Sequence, residues 1–316
     1  MGSASIDQAP PAGAVHSLDH FALSVPDLGL ARQFYESFGL DVRVADRGLE
    51  LRTFGGEHVW ARIAEAPRKK LEYICFGAFA PDLPVIAARL RELDTPQLPP
   101  PDGEPDGALW FRDPAGILLQ VRTAPKSSPD EKRPAVPPPP FNHERASPYR
   151  DARPDVRPIG LSHALFFQPD MRRAIEFYTA VLGLKLSDDA GPVAFLHGVH
   201  GSEHHLIAFA HNEAGPGYHH SAWAVRSIEE VGLGAAQMED AGYARGWGLG
   251  RHVLGSNYFH YVRDPWGSYA EYSFDIDYIP RGYDWVGGHP DPENSFYLWG
   301  PNPPEDFTRN YEAEPA

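Results

Sequence analysis

Two stretches of this chain repeat one another. HSLDHFALSVPDLGLARQFYESFGL aligns with IGLSHALFFQPDMRRAIEFYTAVLGL, pairing His20 with His163, Asp27 with Asp170 and Phe34-Tyr35 with Phe177-Tyr178. A chain that carries one unit twice must fold it twice, so the architecture reduces to a module and its copy. Each copy reads as strand, cap and helix. In the second, Leu161 to Phe167 alternates as a strand with His163 and Leu165 on one face. Asp170 caps the following helix, where Ala174, Phe177, Tyr178, Val181 and Leu182 fall at helical spacing as one buried stripe, and Gly183 ends it.

The repeat returns at the end of each half, where WFRDPAGILLQV pairs with YVRDPWGSYAEY and Asp-Pro-x-Gly makes a tight turn between two strands. Gln120 stands where the second half has Glu271. A neutral amide is a poorer ligand for a hard cation than a carboxylate, so the first half keeps the fold without a metal and His20 reads as a packed relic. In the second half, GRHVLGSNYFHYVRDPWGSYAEY places His252, Tyr261 and Glu271 in one strand-turn-strand unit. With His163 and His220 on separate strands, it supplies two imidazoles and a carboxylate. That donor set leaves open positions on a divalent metal, ferrous iron first and manganese(II) as the alternative.

At 316 residues the chain is long enough for two domains. We expect a disordered N-terminus over 1–15, a first module over 16–123 without metal, a proline-rich linker over 124–157, a second module over 158–280 with the metal, and a tail over 281–316 packed on it. The linker, with its PPPP run, has no apolar period and should be an extended surface connector. The tail carries Trp285, Phe296, Tyr297, Leu298 and Trp299 and is placed to close the pocket.

A net charge of −15 opposes binding to nucleic acid or anionic lipid. No apolar run reaches bilayer length, and the first residues lack the features of a secretory signal, so a cytoplasmic location is expected. The single Cys75 excludes an intramolecular disulfide framework and lies in an apolar stretch as a packed thiol.

These residues resemble the type I extradiol ring-cleavage dioxygenases of the vicinal oxygen chelate superfamily. The resemblance rests on Gly250-Arg251-His252, then Tyr261, Asp264-Pro265-Trp266-Gly267 and Glu271, and on the paired histidines His204-His205 and His219-His220. His260 departs from it, standing where the family has an apolar residue. The resemblance implies an α+β fold of two tandem modules, each made of paired βαβββ repeats forming a cupped mixed β-sheet. It implies His163, His220 and Glu271 as metal ligands, His205 as acid/base residue, and Tyr261 and His252 as catalytic residues contacting substrate. It also implies a catechol and dioxygen as substrates and assembly into a homo-oligomer.

A neutral imidazole at His205 suits proton transfer near neutral pH. Phe195, Trp223, Trp247 and His260 are candidate pocket walls that favour a ring-bearing or alkylated catechol. The same module also serves metal-dependent glyoxalase-like isomerases or lyases and metal-free small-molecule binding proteins, so two other functions stay open on the fold alone.

Overall fold

The computed structural model describes residues 13–104, 106–135, 143 and 145–313. It is an α+β protein of two tandem modules. The first sheet has seven strands, in the order Asp41–Ala45, Gly48–Arg52, Ala61–Glu65, Val15–Val25, Lys70–Ala78, Leu118–Thr123, Leu109–Arg112. The second has nine, in the order Tyr297–Trp299, Gly246–His252, Tyr258–Arg263, Tyr269–Phe274, Gly217–Ala224, Gly160–Gln168, Ile207–His211, Val193–His197, Lys185–Asp189. In each sheet the two central strands pair antiparallel, and each begins a βαβββ unit that runs outward to one edge. In the first module's second unit, one strand is reduced to a bridge between Leu98 and Trp110.

The helices form where the repeat places caps. The Asp27 carboxylate accepts from the Leu30 amide to start Leu28–Ser37, and that of Asp170 accepts from the Arg173 amide to start Met171–Leu182. Ala174, Tyr178, Val181 and Leu182 of the expected stripe are buried, with Phe177 at its edge. Gly183 ends the helix at φ 68°, and a Cβ there would stand 2.6 Å from that of Ala14.

The two Asp-Pro-x-Gly turns also join the modules. Asp113 closes its own turn with one carboxylate oxygen, which accepts from the Ala115 and Ile117 amides. Its other oxygen accepts from Gln168 at 2.7 Å and Tyr178 at 3.2 Å in the second module. Asp264 does the reverse: one oxygen accepts from the Trp266 and Ser268 amides, the other from Lys69 of the first module at 2.7 Å. Both partners of that ion pair are buried, so removing either would strand a charge. Around these turns one apolar core runs through both modules.

The first strand begins at Val15, inside the stretch expected to be disordered; residues 1–12 lie outside the described residues. Among its described residues the linker carries only a short 3-10 turn, Arg150–Ala152, but it is anchored. Ser17 accepts from the Ser127 and Ser128 amides, Arg133 donates to Glu203 at 2.9 Å, and Val156 is buried in the core. Its polar groups and one valine find partners that a composition-based reading does not foresee. The PPPP run lies outside the described residues. In the tail, Tyr297–Trp299 pairs with Gly246–His252 and adds the ninth strand. Among the described residues no helix is long and apolar enough to cross a membrane.

Candidate active site

The sheet register brings the three donors together. Gly217–Ala224 lies between the strands bearing His163 and Glu271, and Ala222 pairs with His163 on one side and Glu271 on the other. Residues paired across strands share a face, and His220 lies two positions from Ala222, so all three side chains point the same way. Their ligand atoms lie within 4.8 Å of one another. His163 Nε2 and His220 Nε2 stand 3.5 and 3.3 Å from Glu271 Oε2.

Burial pushes the His220 imidazole below its ordinary value against the pull of Glu271. Burial alone would raise the Glu271 carboxyl, but the two imidazoles facing it outweigh that and hold it down. His220 Nε2 and Glu271 Oε2 are buried and make no hydrogen bond. Buried lone pairs facing one another are costly unless a cation lies between them, so the residues fit a divalent metal. The other Glu271 oxygen accepts from Asn257 at 3.0 Å.

Each histidine is held from behind. Ser162 donates to Glu203 at 2.6 Å, so its oxygen accepts from His163 Nδ1 at 3.1 Å. His219 Nε2 donates to the Phe307 carbonyl at 2.7 Å, which leaves its Nδ1 to accept from His220 Nδ1 at 2.6 Å. In both cases the Nε2 lone pair is left facing Glu271, as a metal ligand requires.

The His205 ring packs 4.0 Å from that of His163, centre to centre, and is buried. Burial, then the neighbouring imidazoles of His163 and His204, holds it well below the ordinary histidine value, so it is neutral. His252 is brought down to about 4 chiefly by burial, against the pull of Glu271. Its Nδ1 donates to the Phe296 carbonyl at 2.8 Å, so its Nε2 accepts from the Tyr261 hydroxyl at 2.9 Å. That exchange leaves the Tyr261 oxygen with its lone pairs free.

These groups open onto a cavity of about 340 Å³ whose walls include Leu165, Val193, Phe195, Leu254, Phe296 and Phe307. No lysine or arginine lines it among the described residues. Phe195 lines it as expected, while Trp223, Trp247 and His260 do not. Trp223 is three residues from His220, so strand alternation turns it into the core, and the same parity turns His260 away from Tyr261. Trp247 stacks beneath Tyr261, 5.4 Å between ring centres, in a cluster with Phe296 and Phe307. Asn257 and the carbonyls of Phe296 and Phe307 went unread in the sequence. Asn257 could have been flagged only as a polar residue opening the strand that pairs with the Glu271 strand.

In the first module, His20 Nδ1 meets Asp19 at 2.6 Å and its Nε2 meets the Tyr73 hydroxyl at 3.3 Å. Asp19, His20 and Cys75 also converge, but Arg122 stands 3.2 Å from the Asp19 carboxylate. Cys75 is buried and its thiol is pushed up well above its ordinary value by burial.

The profile of the Glyoxalase/Bleomycin resistance protein/Dioxygenase superfamily matches residues 17–121 and 160–272. Metapyrocatechase 2 of Cupriavidus necator is 47% identical over 310 residues, 97% of this chain and 96% of that protein. The 2,3-dioxygenase LapB from Pseudomonas sp. KL28 superposes with a TM-score of 0.72 at 21% identity, covering 90% of this chain and 100% of the other. The Mn(II)-bound glyoxalase from Novosphingobium aromaticivorans gives 0.71 at 22%, covering 95% and 99%. At such identities the two structural likenesses speak to the fold, whereas the full-length sequence match speaks to the family.

Proposed function

The chain belongs to the extradiol ring-cleaving dioxygenases of the vicinal oxygen chelate superfamily, and from that premise we propose that it cleaves a catechol-type ring beside its two hydroxyls, incorporating both atoms of dioxygen, with His163, His220 and Glu271 holding one Fe(II). The observation that carries this reading is the set of unpartnered donor atoms opening onto an apolar cavity. When bound, ferrous iron supplies a centre for both catechol oxygens and for dioxygen, and a route for electron density between them; the same donors accept Mn(II).

The chain's own residues handle the protons and the pose. Neutral His205 takes the second catechol proton at the ring nitrogen turned away from His204. Tyr261, whose hydroxyl hydrogen is committed to His252, accepts a hydrogen bond at its oxygen from the incoming, still protonated catechol and so orients the ring. His252 acts on the substrate side through Tyr261. Phe195, Leu165 and the tail residues Phe296 and Phe307 exclude water and grip an apolar ring. The absence of a cationic wall favours an uncharged catechol with a ring or alkyl substituent over an acidic one. A cytoplasmic location accords with the single buried thiol, and assembly into a homo-oligomer is carried over from the family alone.

Protein loaded anaerobically with Fe(II) and mixed with a panel of catechols under labelled dioxygen should give a yellow ring-opened product carrying both labelled atoms. A dicarboxylate without aldehyde or ketone would overturn cleavage beside the diol. Turnover of a thiol adduct without oxygen uptake would point to an isomerase instead.

A further inference from the structure

His205 is the second of a pair whose first member, His204, has no part in the reading above. His204 is fully buried. Its Nε2 lies 2.7 Å from Asp188 Oδ2 and its Nδ1 lies 3.0 Å from His205 Nδ1. Asp188, on the strand Lys185–Asp189, is ringed by donors: its Oδ1 accepts from the Gly288 amide at 2.7 Å, and its Oδ2 from the Trp285 indole at 3.4 Å. Burial works to raise this carboxyl, but the hydrogen bonds from His204 and Gly288 outweigh it and keep it ionised.

The proton positions then follow one from another. An ionised carboxylate only accepts, so His204 carries a hydrogen on Nε2, and as a neutral ring it presents a lone pair at Nδ1. That lone pair accepts from His205 Nδ1–H, which leaves His205 Nε2 bare and able to take a proton. The His219–His220 pair is built the same way, ending on the Phe307 carbonyl. The two relays are independent in sequence, and both end on or are braced by the tail. We propose that His204 and Asp188 are positioning residues that fix His205 in the tautomer with hydrogen on Nδ1, and that the tail segment around Gly288 holds Asp188 in place for this purpose. The catalytic consequence rests on His205 being the acid/base residue; the tautomer itself does not.

Asp188→Asn separates hydrogen-bond polarity from shape. Its amide cannot offer an acceptor to both His204 and the Gly288 amide. With NH2 toward His204, the relay runs backwards and places the hydrogen on His205 Nε2. With oxygen toward His204, the NH2 confronts the Gly288 N–H. In the full chain loaded with diamagnetic zinc, nitrogen-15 spectra of labelled histidine should show His205 protonated at Nδ1 and bare at Nε2, and Asp188→Asn should shift or reverse that pattern. In the iron-loaded enzyme, Asp188→Asn and His204→Phe should each lower kcat by about 10²-fold with iron content retained, within the range for acid/base assistance. The double variant should be no slower than the slower single one, because both break one relay.

Additive losses, a His205 protonated at Nε2 in the parent, or parental kcat and an unshifted spectrum in Asp188→Asn would overturn the proposal. If Asp188→Asn does not fold by circular dichroism, the parent spectrum and His204→Phe decide it. If the spectra hold while His205→Phe turns over at the parental rate, the relay stands and the acid/base reading of His205 falls.

Discussion

The two modules set the same sheet around different centres. Gln120 pairs with Cys75 as Glu271 pairs with Ala222, so two residues earlier Tyr73 occupies the place of His220. The triad of the second module, His163, His220 and Glu271, thus corresponds to His20, Tyr73 and Gln120 in the first. In the first module the centre is closed by its own groups, His20 between the Asp19 carboxylate and the Tyr73 hydroxyl. In the second, each histidine is satisfied from behind, through Ser162 and through His219, so its front is free. A metal site on this fold therefore needs more than a ligand triad. It needs an acceptor at the back of each imidazole, here Ser162 braced by Glu203 behind His163, and His219 braced by the tail carbonyl of Phe307 behind His220.

The largest test of that contrast exchanges the carboxylate and the amide. Glu271→Gln makes the second centre resemble the first and should weaken iron binding by more than about 100-fold, a ligand counting for more than its supporting hydrogen bonds, with the far-ultraviolet dichroism little changed. The reciprocal Gln120→Glu should not create a second site, because Tyr73 and the Asp19–His20 pair still fill it. Metal analysis reads both. Full iron in Glu271→Gln, or two irons per chain in Gln120→Glu, would break the comparison.

Next in size is His205→Phe, at a position whose first-module counterpart carries no imidazole. The register pairs Ile207 with Ala164 and Ala61 with Phe21, which sets Val59 opposite in role to His205. The variant should keep its iron and bind catechol yet turn over about 10²–10⁴-fold more slowly. Loss of iron would move His205 into the ligand set. Smaller still is Tyr261→Phe, which removes one oriented oxygen while leaving the ring stacked on Trp247. A single hydrogen bond of about 1.4 kcal/mol corresponds to about a tenfold drop in kcat/KM, with metal content unchanged.

The comparison also marks what a sequence can carry. The repeat, the caps at Asp27 and Asp170, the two turns and the three donors were legible because each depends on side-chain type at a fixed spacing. The same-face relation of His163 and Leu165 was legible too, and both line the cavity. Trp223 and His260 were misplaced although strand parity relative to His220 and Tyr261 turns both away. Other parts of the site leave no trace in residue type. The Phe296 and Phe307 carbonyls that hold His252 and His219 are backbone atoms any residue could supply, and only the folded tail delivers them.

The smallest expected effect concerns His260, where the first module has Leu109. The register shows the correspondence: Trp110 pairs with Gln120 as Tyr261 pairs with Glu271, so the preceding residues, Leu109 and His260, are equivalent. His260 Nδ1 is buried with no hydrogen-bond partner, and burial brings the imidazole down from 6.5 to about 4. Above pH 6.5 the group is neutral in both folded and unfolded chains and its effect on stability does not vary with pH. As pH falls from 6.5 toward 4 the unfolded chain takes up a proton that the folded chain refuses, so stability is lost across that window. The shift sets a ceiling of about 3 kcal/mol, reduced by the residue's partial exposure. His260→Leu should therefore leave turnover and iron content at parental values while flattening the fall in melting temperature between pH 6.5 and 4. A parallel fall in variant and parent would mean that His260 is solvated and contributes nothing to the acid sensitivity. A loss of turnover at pH 7 would mean that this face of the strand acts on the site after all, against the parity that separates it from Tyr261.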